Sequence, residues 1–180
     1  MLPIFPYFGG KRRAAPLVWG ALGSVTRYIE PFFGSGAVLL GCPHQPTSEL
    51  VNDVDHHIAN LWRSLQQDPA TVWRVASAPC AEIELRWRLQ ALAAWQAPDM
   101  SRLDACDPYT AGLWLYCACV GIKTLDPALH RSDHGKGIKA ANFNAAWRDA
   151  VVQRMSRVQV LCGDWSRCVT PSALCLGERQ

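Results

Sequence analysis

Short apolar runs alternate with amphipathic stretches along this chain, a pattern that builds a layered α/β domain. Arg27–Glu30 reads as a short strand entering a glycine turn, and residues 37–41 begin a helix. Residues 49–52 read as a second strand, followed by an amphipathic helix carrying Ile58, Leu61, Trp62 and Leu65. Val158–Cys162 reads as a third strand. A helix is also expected over 12–22, although Pro16 counts against it. Asp68-Pro69 supplies a helix cap and first position for a segment through Ser77. Residues 81–95 form another helix, with Ile83, Leu85, Trp87, Leu89, Leu92 and Trp95 as its apolar positions. The stretch 109–122 is almost wholly apolar, as a buried helix would be. Residues 126–142 are polar, basic and glycine-containing, hence loop, and Asn144 can cap a helix over 145–156. Strands interleaved with helices argue for a parallel α/β sheet with a helical insertion at 66–156.

Composition narrows the picture modestly. At 180 residues and 49% hydrophobic content, one domain with a sizeable core is expected. A net charge of +3 neither proves a nucleic-acid partner nor repels phosphate. No apolar run reaches membrane-spanning length and no leader pattern opens the chain, so no membrane association is expected. The eight cysteines are scattered, mostly in apolar contexts, and include no Cys-x-x-Cys pair. They read as buried free thiols of a cytoplasmic protein rather than a disulfide or zinc framework. His56, His57, His130 and His134 form no ligand spacing, and no metal site is expected. The eight tryptophans sit among apolar neighbours, so core packing is their default role.

The chemistry begins at Glu30-Pro31-Phe32-Phe33-Gly34-Ser35-Gly36, where a strand runs into a turn without side-chain bulk and then into a helix. Such units bind nucleotide-like ligands at the strand's carboxyl end. A lone Gly-x-Gly serves equally as a structural turn. Asp53 follows at the end of the next strand, where an acid in these folds accepts hydrogen bonds from a ribose, with Asp55 second by spacing. Asp53 also suits a helix cap, and the two roles are compatible. A dinucleotide oxidoreductase is disfavoured, because position 39, where the third glycine belongs, is Leu.

Tyr7-Phe8-Gly9-Gly10-Lys11, the Glu30–Gly36 turn and Val51-Asn52-Asp53-Val54-Asp55, in this order and spacing, resemble the cofactor half of Dam-type (class alpha) DNA adenine-N6 methyltransferases. The resemblance is close over residues 3–66, weaker over 157–168, and positional only between them. It implies a Rossmann-like parallel sheet that binds S-adenosylmethionine (SAM), with double-stranded DNA as the methyl acceptor. It further implies that Tyr7, Gly10 and Lys11 line the SAM pocket, that Glu30, Pro31, Phe32, Gly34, Ser35 and Gly36 wrap its methionine end, and that Asp53 holds the ribose. Asp164, after the third strand, would face the adenine amine, with helix capping as the alternative. Residues 1–65 and 157–172 would form the SAM-binding core, and 66–156 the helical, target-recognising insertion. Within it, Arg131, Lys136 and Lys139 are candidates for DNA-backbone contact, although a solvated loop explains them as well.

The family's catalytic Asp-Pro-Pro-Tyr segment occurs nowhere in the 180 residues. Asp107-Pro108-Tyr109 lacks one Pro and precedes an apolar helix, where Asp107 as cap and Pro108 as first residue explain it. The expectation is an incomplete sheet in a truncated enzyme, inactive alone, with 173–180 a non-native tail. The alternative is a non-catalytic SAM- or DNA-binding module. In either case the strand ending at Glu30 would form an open edge, available to a partner chain or to self-association.

Overall fold

The computed structural model describes residues 3–7, 10–79, 81–120 and 143–171. Three strands, β1 (Arg27–Glu30), β2 (Ser48–Asp53) and β3 (Val158–Cys162), form a small open parallel sheet in the order β1-β2-β3. Ile29 lies opposite Leu50, and Val51 opposite Val160. The expected Rossmann-like α/β architecture is therefore present, with β1 at one edge of the described sheet. The loops that follow all three strands converge on one end, because the strands run in the same direction.

Around the sheet stand α1 (Ala15–Leu22), α2 (Ala37–Leu40), α3 (His56–Gln67), α4 (Pro69–Ala76), α5 (Glu82–Ala93), α6 (Pro108–Cys119) and α7 (Ala145–Met155). Side-chain caps account for four of their starts, and at α3 the cap is Asp55 rather than Asp53, accepting the backbone N–H of His57 (2.8 Å). Asp68, Asp107 and Asn144 cap α4, α6 and α7 by accepting the backbone N–H of Thr71 (3.0 Å), Thr110 (3.0 Å) and Trp147 (3.3 Å). The helix expected over 12–22 is shorter than its pattern suggests. Lys11–Arg13 form a 3-10 turn, and α1 begins at Ala15, which puts Pro16 in the first turn, where its missing N–H breaks no helical bond.

α3 departs from simple amphipathicity. Ile58, Leu61, Trp62 and Leu65 are buried as the pattern requires, but Asn60, Arg63 and Ser64 are buried too. The helix lies between the sheet and α6, so from Ile58 to Leu65 neither face reaches solvent. Hydrogen bonds satisfy most of its buried polar atoms, with Arg63 Nη2 left without a partner among the described residues. Asn60 exchanges two bonds with the backbone of Asp107 (2.6 and 3.0 Å). Arg63 donates to Val160 O (3.0 Å) and to the carbonyls of Met100, Arg102 and Ala105, fixing the 100–105 turn against β3.

One contiguous core joins β2, α3, α4 and α6. The default of core packing for tryptophan holds for Trp19, Trp62, Trp73 and Trp114 and fails for Trp87 and Trp165, which are half-exposed. In α5 the helical period sets Trp87 beside Ile83, also exposed, on the face opposite the buried Leu85, Leu89 and Leu92, whereas Trp165 lies in a short turn where periodicity says nothing. No described helix is long and apolar enough to cross a membrane.

Candidate functional site

The turn after β1 is built by sequence that leaves little alternative. Gly34 (φ 54°) and Gly36 (φ 67°) both take the left-handed conformation that side-chain-bearing residues avoid. Gly36 then caps α2, whose Leu40 N–H reaches Gly36 O (2.8 Å). A methyl group on Gly36 would come within 3.0 Å of Phe33 Cζ and 3.1 Å of Trp62 Cζ2, so the turn sits hard against the core. Trp62 returns a hydrogen bond from Nε1 to Gly34 O (2.9 Å).

Two residues of β2 tie the strand ends together. Asp53 accepts the N–H of Gly34 on Oδ2 (2.7 Å) and that of Asp55 on Oδ1 (3.0 Å). Asn52 donates to Pro31 O (3.1 Å) and Gly163 O (2.9 Å), joining the exits of β1 and β3 across β2. Sequence reading singled out Asp53 and passed over Asn52. Only the sheet order reveals that Asn52 stands between the other two strands.

A cavity of about 230 Å³ opens over this turn, lined by Tyr7, Gly10, Lys11, Phe32, Phe33, Gly34 and Ser35. Of the residues assigned from sequence, six line it together, and Phe33 joins them. Tyr7 lays its ring over Gly34, where an added methyl would come within 2.9 Å of Cε1. Burial raises the Tyr7 phenol above its ordinary value, and the carboxylates of Asp53 and Asp55 push it further. It is therefore a neutral donor at physiological pH.

The remaining assigned residues lie around the cavity. Glu30 is buried below the turn, where Lys11 Nζ pairs with Oε1 (2.7 Å) and Tyr28 OH donates to Oε2 (2.8 Å). Lys11 Nζ also donates to Phe32 O. Burial raises the Glu30 carboxyl, while Lys11 and Tyr28 pull it back down. Pro31 contributes its carbonyl to Asn52, and Gly36 supports the turn from beneath. Asp164 ends the β3 loop, exposed, accepting Ser166 N (2.9 Å) and Ser166 Oγ (2.5 Å) on Oδ1. Those two bonds hold its carboxyl below the usual range. It thus caps the short 3-10 turn Trp165–Arg167. Arg131, Lys136 and Lys139 lie outside the described residues. Asp107 is the cap of α6, and its second oxygen accepts Trp95 Nε1 (3.1 Å).

Each loop at this end also exposes one large apolar residue: Phe32 (65% exposed) after β1, Val54 (69%) after β2 and Trp165 (49%) after β3. Val54 and Trp165 were not picked out from sequence. The available signal was their position, each directly following an acid at a strand end. Among the described residues, no cluster of His, Cys, Asp or Glu could hold a metal ion.

Comparison with curated proteins finds no match. The family of D12 class N6 adenine-specific DNA methyltransferases matches residues 7–84, which take in the cavity, Asp53 and the helices α3 and α4. In this part of the chain, under half of its length, the protein is similar to that family.

Proposed function

We propose that this chain is the SAM-binding portion of a Dam-type DNA adenine-N6 methyltransferase. The observation that carries the reading is the left-handed Gly34–Gly36 turn, held by the Asp53 carboxylate and opening on a cavity at the carboxyl end of a parallel sheet. At about 230 Å³ the cavity is below the size of a typical ligand pocket, and it suits the methionine end of the cofactor. Lys11, with three donors, can serve a carboxylate there while keeping Glu30. Asp53 spends two of roughly four acceptor positions on backbone N–H groups, which leaves capacity for ribose hydroxyls. Val54 and Trp165 offer apolar faces for an adenine ring, and Asp164 an ionised acceptor for its amine. SAM supplies the electrophilic methyl group, and these residues bind and orient it.

Methyl transfer to an exocyclic amine also requires groups that grip the flipped base. In the proposed family that is the Asp-Pro-Pro-Tyr segment, which these 180 residues do not contain. The chain alone is therefore expected to bind SAM and to transfer no methyl group. Titration calorimetry with SAM tests the first part: wild type binds, and Asp53→Asn weakens binding at least about 10-fold, or 1.4 kcal/mol. Equal affinity in the two proteins, or no binding by wild type, removes the proposal. Incorporation of labelled methyl groups into adenine-containing DNA by the chain alone refutes the second part.

A further inference from the structure

Most described cations have partners. Lys11 pairs with Glu30, Arg88 with Glu84, Arg102 with Asp104, and Arg154 with Glu49, while Arg63 is held by carbonyls. Arg12 and Arg13 differ. They follow Lys11 directly, are exposed, and make no hydrogen bond or ion pair among the described residues. Arg74 and Arg157 share that freedom but stand singly, on α4 and at the amino end of β3.

The two side chains project from a fixed backbone. Their 3-10 turn is closed by Ala14 N–H on Lys11 O (3.0 Å), preceded by Gly10 N–H on Tyr7 O (3.0 Å), and packed against α1 and α2. Gly10 and Lys11 line the cavity, so Arg12 and Arg13 sit one and two residues from its rim, about 3.8 Å of chain per step. No acid occurs before Glu30, and Glu30 is buried on Lys11. Nothing nearby in sequence neutralises this pair of adjacent charges. Arginine is also the residue whose planar fork matches phosphate oxygens.

We propose that Arg12 and Arg13 bind the phosphate backbone of duplex DNA at the mouth of the cavity. The inference rests on the function proposed above and supplies its DNA contact. A base reaches a buried cofactor only by leaving the stack, so the phosphates flanking it must lie at the cavity mouth. Contacts there fix the register of the duplex and carry no sequence preference. Tyr7 and Phe32 border the same opening with exposed rings, the flat apolar surfaces on which unstacked bases rest.

The test is the salt dependence of binding to a short labelled duplex, measured by fluorescence anisotropy from about 50 to 200 mM salt. Each neutralised phosphate contributes about 0.9 to the slope of log affinity against log salt. Arg12→Gln/Arg13→Gln should lower that slope by about 1.8 and each single variant by about 0.9. Arg12→Lys/Arg13→Lys should retain most of it, since the charge persists. Far-ultraviolet circular dichroism and urea unfolding establish that all variants are folded, and calorimetry with SAM on the same preparations should show the same affinity in each. An unchanged slope in the double glutamine variant, or no DNA binding by wild type, overturns the inference. So does loss of binding to anionic phospholipid vesicles with the DNA slope intact, which would make the pair a membrane contact. The two proposals fail separately. A slope lowered by about 1.8 without SAM binding keeps the arginine surface and removes the cofactor reading. SAM binding with an unchanged slope does the reverse.

Discussion

Gly34 and Gly36 occupy equivalent places in the sequence motif, yet the structure gives them different work, and alanine at each position separates the two. At Gly36 the left-handed backbone costs alanine about 1–2 kcal/mol. The new methyl meets Phe33 Cζ at 3.0 Å and Trp62 at 3.1 Å, both nearly inaccessible to solvent. Trp62 is further anchored by its bond to Gly34 O and cannot swing aside. Overpacking of this kind adds about 1–3 kcal/mol, for a total of about 2–5. At Gly34 the backbone cost is the same, but the methyl meets only the ring of Tyr7, which is 41% exposed rather than enclosed in the core. Its cost is about 1–2 kcal/mol, and its methyl enters the cavity.

Urea unfolding followed by tryptophan fluorescence reads the difference. With a slope near 2 kcal/mol/M, Gly36→Ala should lower the midpoint by about 1–2.5 M and Gly34→Ala by about 0.5–1 M. SAM affinity should fall in Gly34→Ala under conditions where that protein remains folded. A Gly36→Ala midpoint at or above that of Gly34→Ala refutes the assignment of Gly36 to the core and Gly34 to the cavity.

Arg154 and Glu49 form a bidentate pair in which Glu49 is almost wholly buried (Nη1 to Oε2, 2.6 Å). Arg154→Leu strands that carboxylate and should cost about 3–5 kcal/mol in the same unfolding experiment. Burial pushes the Cys117 and Cys119 thiols up to about 12, so at pH 8 iodoacetamide should modify both after denaturation and neither in the native protein, as peptide mass spectrometry would report. Burial lowers His57 below its ordinary 6.5, partly offset by Asp55 and reinforced by His56. The unfolded chain therefore binds the His57 proton more readily, and stability falls as pH drops from 6.5 towards the folded value. His57→Gln should lose less stability across that window than wild type; an equal or larger loss contradicts the burial of His57.

Much of this protein is decided within a few residues of chain. The caps at Asp68, Asp107 and Asn144, the strand into Gly34–Gly36, and the apolar spacing of Ile58, Leu61, Trp62 and Leu65 are short-range instructions, and the structure obeys them. The same holds for Tyr7, Gly10, Lys11 and the turn, short segments singled out in the sequence that come together around one cavity. What depended on the tertiary structure involves partners far apart in sequence. Asn52 became a fastener of strand exits because β2 lies between β1 and β3. Arg63 entered the interior because the 100–105 turn folds back over α3 and offers carbonyls that no local pattern announces. Trp165 turned outward on its short turn, while Trp62 turned in on a helix packed between the sheet and α6. Arg12 and Arg13 stood out only once the structure left them exposed and without an ion pair among the described residues. Local sequence sets which backbone is cheap to form; which side chains are covered, paired or left free depends on what the rest of the chain brings alongside.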